Sequence, residues 1–70
     1  MDEKARKTMG NNLKQARERL NLTQAEVAGK ANINSNFYAR IERGEEQLSL
    51  DSLYFLCKAL KLKSSDILPF

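Results

Sequence analysis

Apolar residues recur along the chain at helical spacing, in short stretches separated by residues that favour turns. Met9, Leu13, Ala16 and Leu20 share one face of a helix predicted over residues 6–20, with Lys14, Gln15, Glu18 and Arg19 outside it. Asn21 suits the left-handed stop of that helix, and Leu22 returns the chain to the core. Thr23-Gln24-Ala25-Glu26 has the form of a capping box, in which the hydroxyl and the carboxylate each satisfy the other residue's free amide. It opens a second helix with Val27, Ala28 and Ala31 inward, ending where Asn32 tolerates a positive φ. Ile33 plugs back into the core, and Asn34 caps a third helix over residues 35–43, stopped by Gly44. Within it Tyr38 and Ile41 point one way, and Ser35, Asn36, Ala39, Arg40 and Arg43 largely the other. After a polar loop, Leu50, Leu53, Tyr54, Cys57 and Leu60 form the stripe of a fourth helix, capped by Ser49 or Asp51. Ser64, Ser65 and Asp66 start one further turn, which Pro69 ends. The pattern predicts an all-α fold of five short helices joined by short connections.

Composition narrows the possibilities. Seventy residues, of which 41% are hydrophobic, predict one globular domain over 1–70 with a modest core. The net charge of +3 permits an anionic partner without identifying one. Lys4, Arg6 and Lys7 make residues 1–7 either a flexible basic arm or an extension of the first helix. There is no histidine, and Cys57 is the single cysteine, so no internal disulfide, zinc site or catalytic set is expected. Cys57 lies in an apolar run and reads as a small buried hydrophobe. Neither a cofactor nor a small-molecule ligand is implied. No apolar stretch reaches the ~20 residues of a membrane span, and the polar start is unlike a signal peptide, so a cytoplasmic location is expected.

The second and third helices are joined so tightly that they must cross steeply, which requires small residues where they touch. Ala28 is small at the closest approach, Asn32 is permissive in the turn, and Ile33 is apolar just after it; Val27, Ala31, Tyr38 and Ile41 fill the other inward positions. This is the pattern of a helix-turn-helix. Leu22-Thr23-Gln24-Ala25-Glu26-Val27-Ala28, Ile41-Glu42-Arg43-Gly44, Leu50-Asp51-Ser52-Leu53 and Ala59-Leu60 together resemble the lambda-repressor-like (Cro/repressor, XRE-type) DNA-binding domains, from Gly10 to Leu68.

A recognition helix presents its N-terminal end to base edges in the major groove. Ser35 and Asn36 stand at that end, and Asn36 suits the N6 and N7 atoms of adenine. Arg40, one turn further on, suits a bidentate contact to guanine, the alternative being a solvated arginine paired with a nearby acid. The resemblance implies phosphate contacts from Gln24 and Arg43, and Asn34 joins them at the helix start while also capping it. It further implies a partly buried ion pair between Arg17 and Glu42, tying the first helix to the third. Three departures stand out. Tyr38 occupies a position where the family usually has isoleucine or valine, Phe37 replaces a common tyrosine, and Glu45 and Glu46 place two carboxylates in a loop that often follows the phosphates.

The expected function is sequence-specific binding of double-stranded DNA by a bacterial or phage transcriptional regulator, a repressor acting as a homodimer on a palindromic operator with half-sites ~34 Å apart. Leu62, Ile67, Leu68 and Phe70 form an apolar C-terminal patch suited to the dimer contact or to closing the monomer's own core. The alternative is an antitoxin or adaptor that uses the same fold chiefly to hold a protein partner, which Phe37, Glu45 and Glu46 would fit.

Overall fold

A computed structural model describes residues 1–70. Five helices follow one another: α1 (Glu3–Arg19), α2 (Gln24–Ala31), α3 (Ser35–Glu42), α4 (Leu50–Leu60) and α5 (Ser64–Ile67). The all-α fold is as the apolar spacing predicts. The local signals act as their chemistry requires. The Thr23 hydroxyl accepts from the Glu26 amide at 3.1 Å, and the Thr23 amide donates to the Glu26 carboxylate at 2.8 Å. Asn34 Oδ1 accepts from the amides of Asn36 and Phe37 at 2.8 and 3.1 Å. Ser49, rather than Asp51, caps α4 by accepting from the Ser52 amide at 3.1 Å.

The first four helices end alike. Asn21, Asn32, Gly44 and Lys61 all adopt positive φ, between 56° and 76°. In each case the next amide donates back along the helix: Leu22 to the Arg17 carbonyl, Ile33 to Ala28, Glu45 to Arg40 and Leu62 to Cys57. These are Schellman closures, which satisfy the orphan carbonyls of a helix end and turn the chain sharply. Leu22, Ile33 and Leu62 use the turn to pack against the core.

Eleven residues form that core: Met9, Leu13 and Ala16 from α1, Val27, Ala28 and Ala31 from α2, Tyr38 and Ile41 from α3, Leu56 and Leu60 from α4, and Ile67 from α5. Every helix contributes, so none buries its apolar face alone. Two backbones meet closely where α1 crosses the end of α3. A Cβ on Gly10 would lie 2.5 Å from the carbonyl oxygens of both Ile41 and Glu42, so only glycine permits this approach.

Four expectations need correction. First, α1 begins at Glu3, capped by Asp2 Oδ1, which accepts from the Ala5 amide at 2.8 Å. Of the two readings of residues 1–7, the helical one holds for residues 3–7, which extend the first helix, and Arg6 reaches the Gly44 carbonyl at 3.3 Å. Second, Leu20 is exposed, because it caps α1 past the last turn that faces the core. Third, the inward stripe of α4 runs through Leu53, Leu56, Cys57 and Leu60, and Leu50 and Tyr54 are exposed. At about 100° per residue Tyr54 lies roughly 110° from the centre of that stripe. Fourth, the predicted C-terminal dimer patch is mostly core: Ile67 is fully buried, Leu62 and Leu68 pack against the core, and of the four only Phe70 is exposed. Asn12 helps to close this corner by donating to the Ile67 carbonyl at 3.0 Å.

Candidate nucleic-acid interface

Helix α3 is divided along its length by what each side chain touches. Tyr38, Ile41 and Glu42 are buried, Ser35 and Asn36 are exposed, and Phe37, Ala39 and Arg40 lie between. Of the predicted base-reading residues, Asn36 and Arg40 therefore stand on the accessible side of one short helix, and Ser35 is exposed at its first turn. Asn36 and Arg40 are four residues apart, which places them on one ridge. Asn34 commits its Oδ1 to capping, which leaves its amide nitrogen to donate outward.

Behind this face a polar network fixes α3. Arg17 grips Glu42 in bidentate fashion, Nε to Oε2 at 2.7 Å and Nη2 to Oε1 at 3.1 Å, and its Nη1 donates to the Leu22 carbonyl at 2.9 Å. Gln24 Nε2 donates to Glu42 Oε1 at 2.9 Å. One carboxylate thus ties together α1, α2 and α3. Burial pushes the Glu42 carboxyl up, but the hydrogen bonds from Arg17 and Gln24, with the Arg17 charge, outweigh that and hold it below the usual carboxylate range. Glu42 in turn raises the Arg17 guanidinium.

Tyr38 fits its site in shape but not in polarity. Its ring is fully buried, and its hydroxyl, near Glu42 and Arg17, has no hydrogen-bond partner. Burial, reinforced by the Glu42 carboxylate, pushes that hydroxyl far above the ordinary tyrosine range. Phe37 is half-buried, and the Arg40 guanidinium lies 6.0 Å from its ring centroid, at the limit of a cation–π contact.

The two arginines at the far end of α3 are both paired. Arg40 Nε donates to Glu46 Oε1 at 3.2 Å. Arg43 is held by Glu45 through Nε to Oε2 at 2.9 Å and Nη2 to Oε1 at 3.1 Å. That pairing lowers the Glu45 carboxyl and raises the Arg43 guanidinium. The sequence offers an acid near Arg40 only as an alternative and places Glu45 and Glu46 in a loop that often follows the phosphates, without indicating that they fold back onto α3. Their folding back onto α3 depends on the left-handed turn at Gly44. The bond from Gln24 to Glu42 was also missed, since nothing in the spacing reveals that the first residue of α2 faces the last of α3.

The solved structures give this arrangement relatives. Helix-turn-helix family HTH_3 matches residues 13–68. The chain belongs to that family. The restriction-modification controller protein C.AhdI from Aeromonas hydrophila is 23% identical, with a TM-score of 0.85 over 87% of this chain and 92% of that one. The clp gene regulator ClgR from C. glutamicum is 25% identical, with a TM-score of 0.84 over 90% of this chain and 82% of that one. An HTH_3 family transcriptional regulator from Vibrio cholerae is 22% identical, with a TM-score of 0.88 over 96% of this chain but only 38% of its own length. No curated protein matches the sequence. As an HTH_3 domain the chain is a DNA-binding regulator rather than an enzyme.

Other sites do not compete with this face. The one hollow, lined by Asp2, Glu3, Lys4, Lys7 and Thr8, is shallow and is lined by no hydrophobic residue. No three metal-ligating side chains converge, and no helix is long and apolar enough to cross a membrane.

Proposed function

We propose that this domain represses transcription by binding a two-fold symmetric DNA operator as a homodimer, with α3 lying in the major groove. The observation that carries the reading is the division of α3: Asn36 and Arg40 are accessible along one side with Ser35 exposed at the first turn, and the opposite side is locked by the Arg17–Glu42–Gln24 network. Base edges are then met by Ser35, Asn36 and Arg40, and phosphates by Gln24, Asn34 and Arg43. Gln24 keeps one amide hydrogen and its own backbone N–H for that task while the other hydrogen holds Glu42. Likeness to a restriction-modification controller and to a clp gene regulator supports a role in transcription.

A helix of eight residues spans only about 12 Å and reads few base pairs, so a second copy supplies the remaining affinity. With Ile67 and its neighbours occupied in the core, the apolar surface offered to that copy is Leu50, Tyr54 and Phe55 on the outside of α4, with Phe70. The Tyr54 and Phe55 rings meet edge to face at 5.3 Å.

Selection of bound duplexes from a random pool, with light scattering of the free protein, tests this reading. A recovered palindrome and a dimer at micromolar concentration are expected; a single unrepeated half-site bound by a monomer would sink the dimer. The same exposed aromatic pair would suit an adaptor that holds a protein partner. DNA affinity that does not respond to salt would favour that alternative.

A further inference from the structure

Among the four Schellman closures of this fold, the recognition helix has the odd one. Leu22, Ile33 and Leu62 stand at the residue after the left-handed turn and pack inward, which is the hydrophobic contact that commonly accompanies the motif. At the end of α3 that position is Glu45. Its amide closes the helix on the Arg40 carbonyl at 2.9 Å like the others, but its exposed carboxylate folds over Arg43. Glu46 follows and takes Arg40. The loop thus neutralises the two guanidinium groups assigned to DNA.

These pairs differ in kind from the Arg17–Glu42 pair. There the side chains are 13% and 3% exposed, whereas Arg40 and Glu46 are 43% and 35% exposed, and Arg43 and Glu45 are 56% and 52% exposed. Solvated pairs of this sort hold weakly and exchange partners readily. A fixed structural clasp would be buried; an exposed one at the binding face is positioned to be displaced.

We propose that Glu45 and Glu46 are an internal competitor for DNA: in the free protein they occupy Arg43 and Arg40, and a duplex must displace them to engage those side chains. The proposal rests on the DNA-binding reading above. Because each arginine is already neutralised by a carboxylate, its transfer to the duplex releases fewer condensed counterions than a free arginine would. Affinity for any sequence is therefore lowered, and so is its dependence on salt.

The test is a cycle of four proteins titrated with a labelled random-sequence duplex from low to moderate salt: wild type, Glu45→Gln/Glu46→Gln, Arg40→Ala/Arg43→Ala, and all four substitutions together. Removing the glutamates from wild type should tighten binding about tenfold and steepen the salt dependence by up to about two powers. In the arginine-less background the same substitutions should leave the slope unchanged and gain much less. The single variants Glu45→Gln and Glu46→Gln should each give part of the effect. Equal gains in both backgrounds would mean that only the general charge matters, and would overturn the competitor while leaving DNA binding intact. No gain in either background would overturn it too. A complete lack of duplex binding by wild type and the glutamine variant would overturn both readings together.

Discussion

Arg17 and Glu42, 25 residues apart in the chain, meet in a two-pronged ion pair that is almost sealed from solvent. The pair joins the first helix to the last turn of the recognition helix, and Gln24 joins from the second.

Removing one partner leaves the other charged and buried, so Arg17→Ala or Glu42→Ala should each destabilise the fold by about 3 kcal/mol. Urea unfolding followed by circular dichroism measures this. Replacing both with apolar residues of similar volume should recover most of the loss, and a double variant as unstable as the sum of the singles would contradict the pairing.

The acid response follows from the same carboxylate. Glu42 titrates lower in the folded chain than its ordinary value of 4.5, so as pH falls the unfolded chain takes up the proton first. The contribution is complete above 4.5 and is lost as pH drops below it toward the folded value. Glu42→Gln should be less stable at neutral pH and should lose less on acidification. Denaturant midpoints across the acid range read both effects.

Tyr38 predicts an unusual outcome for a fully buried residue. Because its hydroxyl has no partner, Tyr38→Phe removes an unsatisfied group without opening a cavity. Stability should stay unchanged or rise by about 1 kcal/mol. A clear loss on denaturation would reveal a hydrogen bond worth keeping.

Two glycines should respond in opposite directions to alanine. Gly10→Ala forces a Cβ against two carbonyl oxygens and should cost about 1–3 kcal/mol. Gly29, inside α2, has nothing within 4 Å of an added Cβ, and Gly29→Ala should stabilise by about 0.5–1 kcal/mol. Thermal melts of the two variants compare them directly.

On DNA, the two arginines should separate. Arg40→Ala should relax the preference at one position of each half-site and cost about 1–3 kcal/mol. Arg43→Ala should weaken all sequences alike and reduce the salt slope. An unchanged preference in the Arg40 variant would remove it from base reading.

How far the sequence could be read depended on whether a signal was local. The capping box at Thr23, the cap at Asn34 and the stops at Asn21, Asn32 and Gly44 are contained within a few residues, and each acts in the fold as its chemistry suggests. The apolar run from Leu53 to Cys57 has no polar residue to mark its period, so the buried face of α4 was placed on Tyr54 instead of Leu56. The C-terminal residues stayed open between two readings for a different reason: an apolar cluster looks the same whether it closes a core or meets a partner. Arg17 and Glu42 were legible through the family resemblance, whereas the bond from Gln24 to Glu42 and the grip of Glu45 and Glu46 depend on how three helices and one turn meet in space.

The split along α3 also bears on how such a domain can acquire a new target. Ser35 and Asn36 are exposed and take no part in the core, while the neighbouring Tyr38, Ile41 and Glu42 hold the helix in place. On the proposed function, base reading and anchoring fall to different residues of one eight-residue segment. On that reading, mutational drift can rewrite the first set at little thermodynamic risk, which would leave a DNA preference free to diverge while the scaffold stays the same.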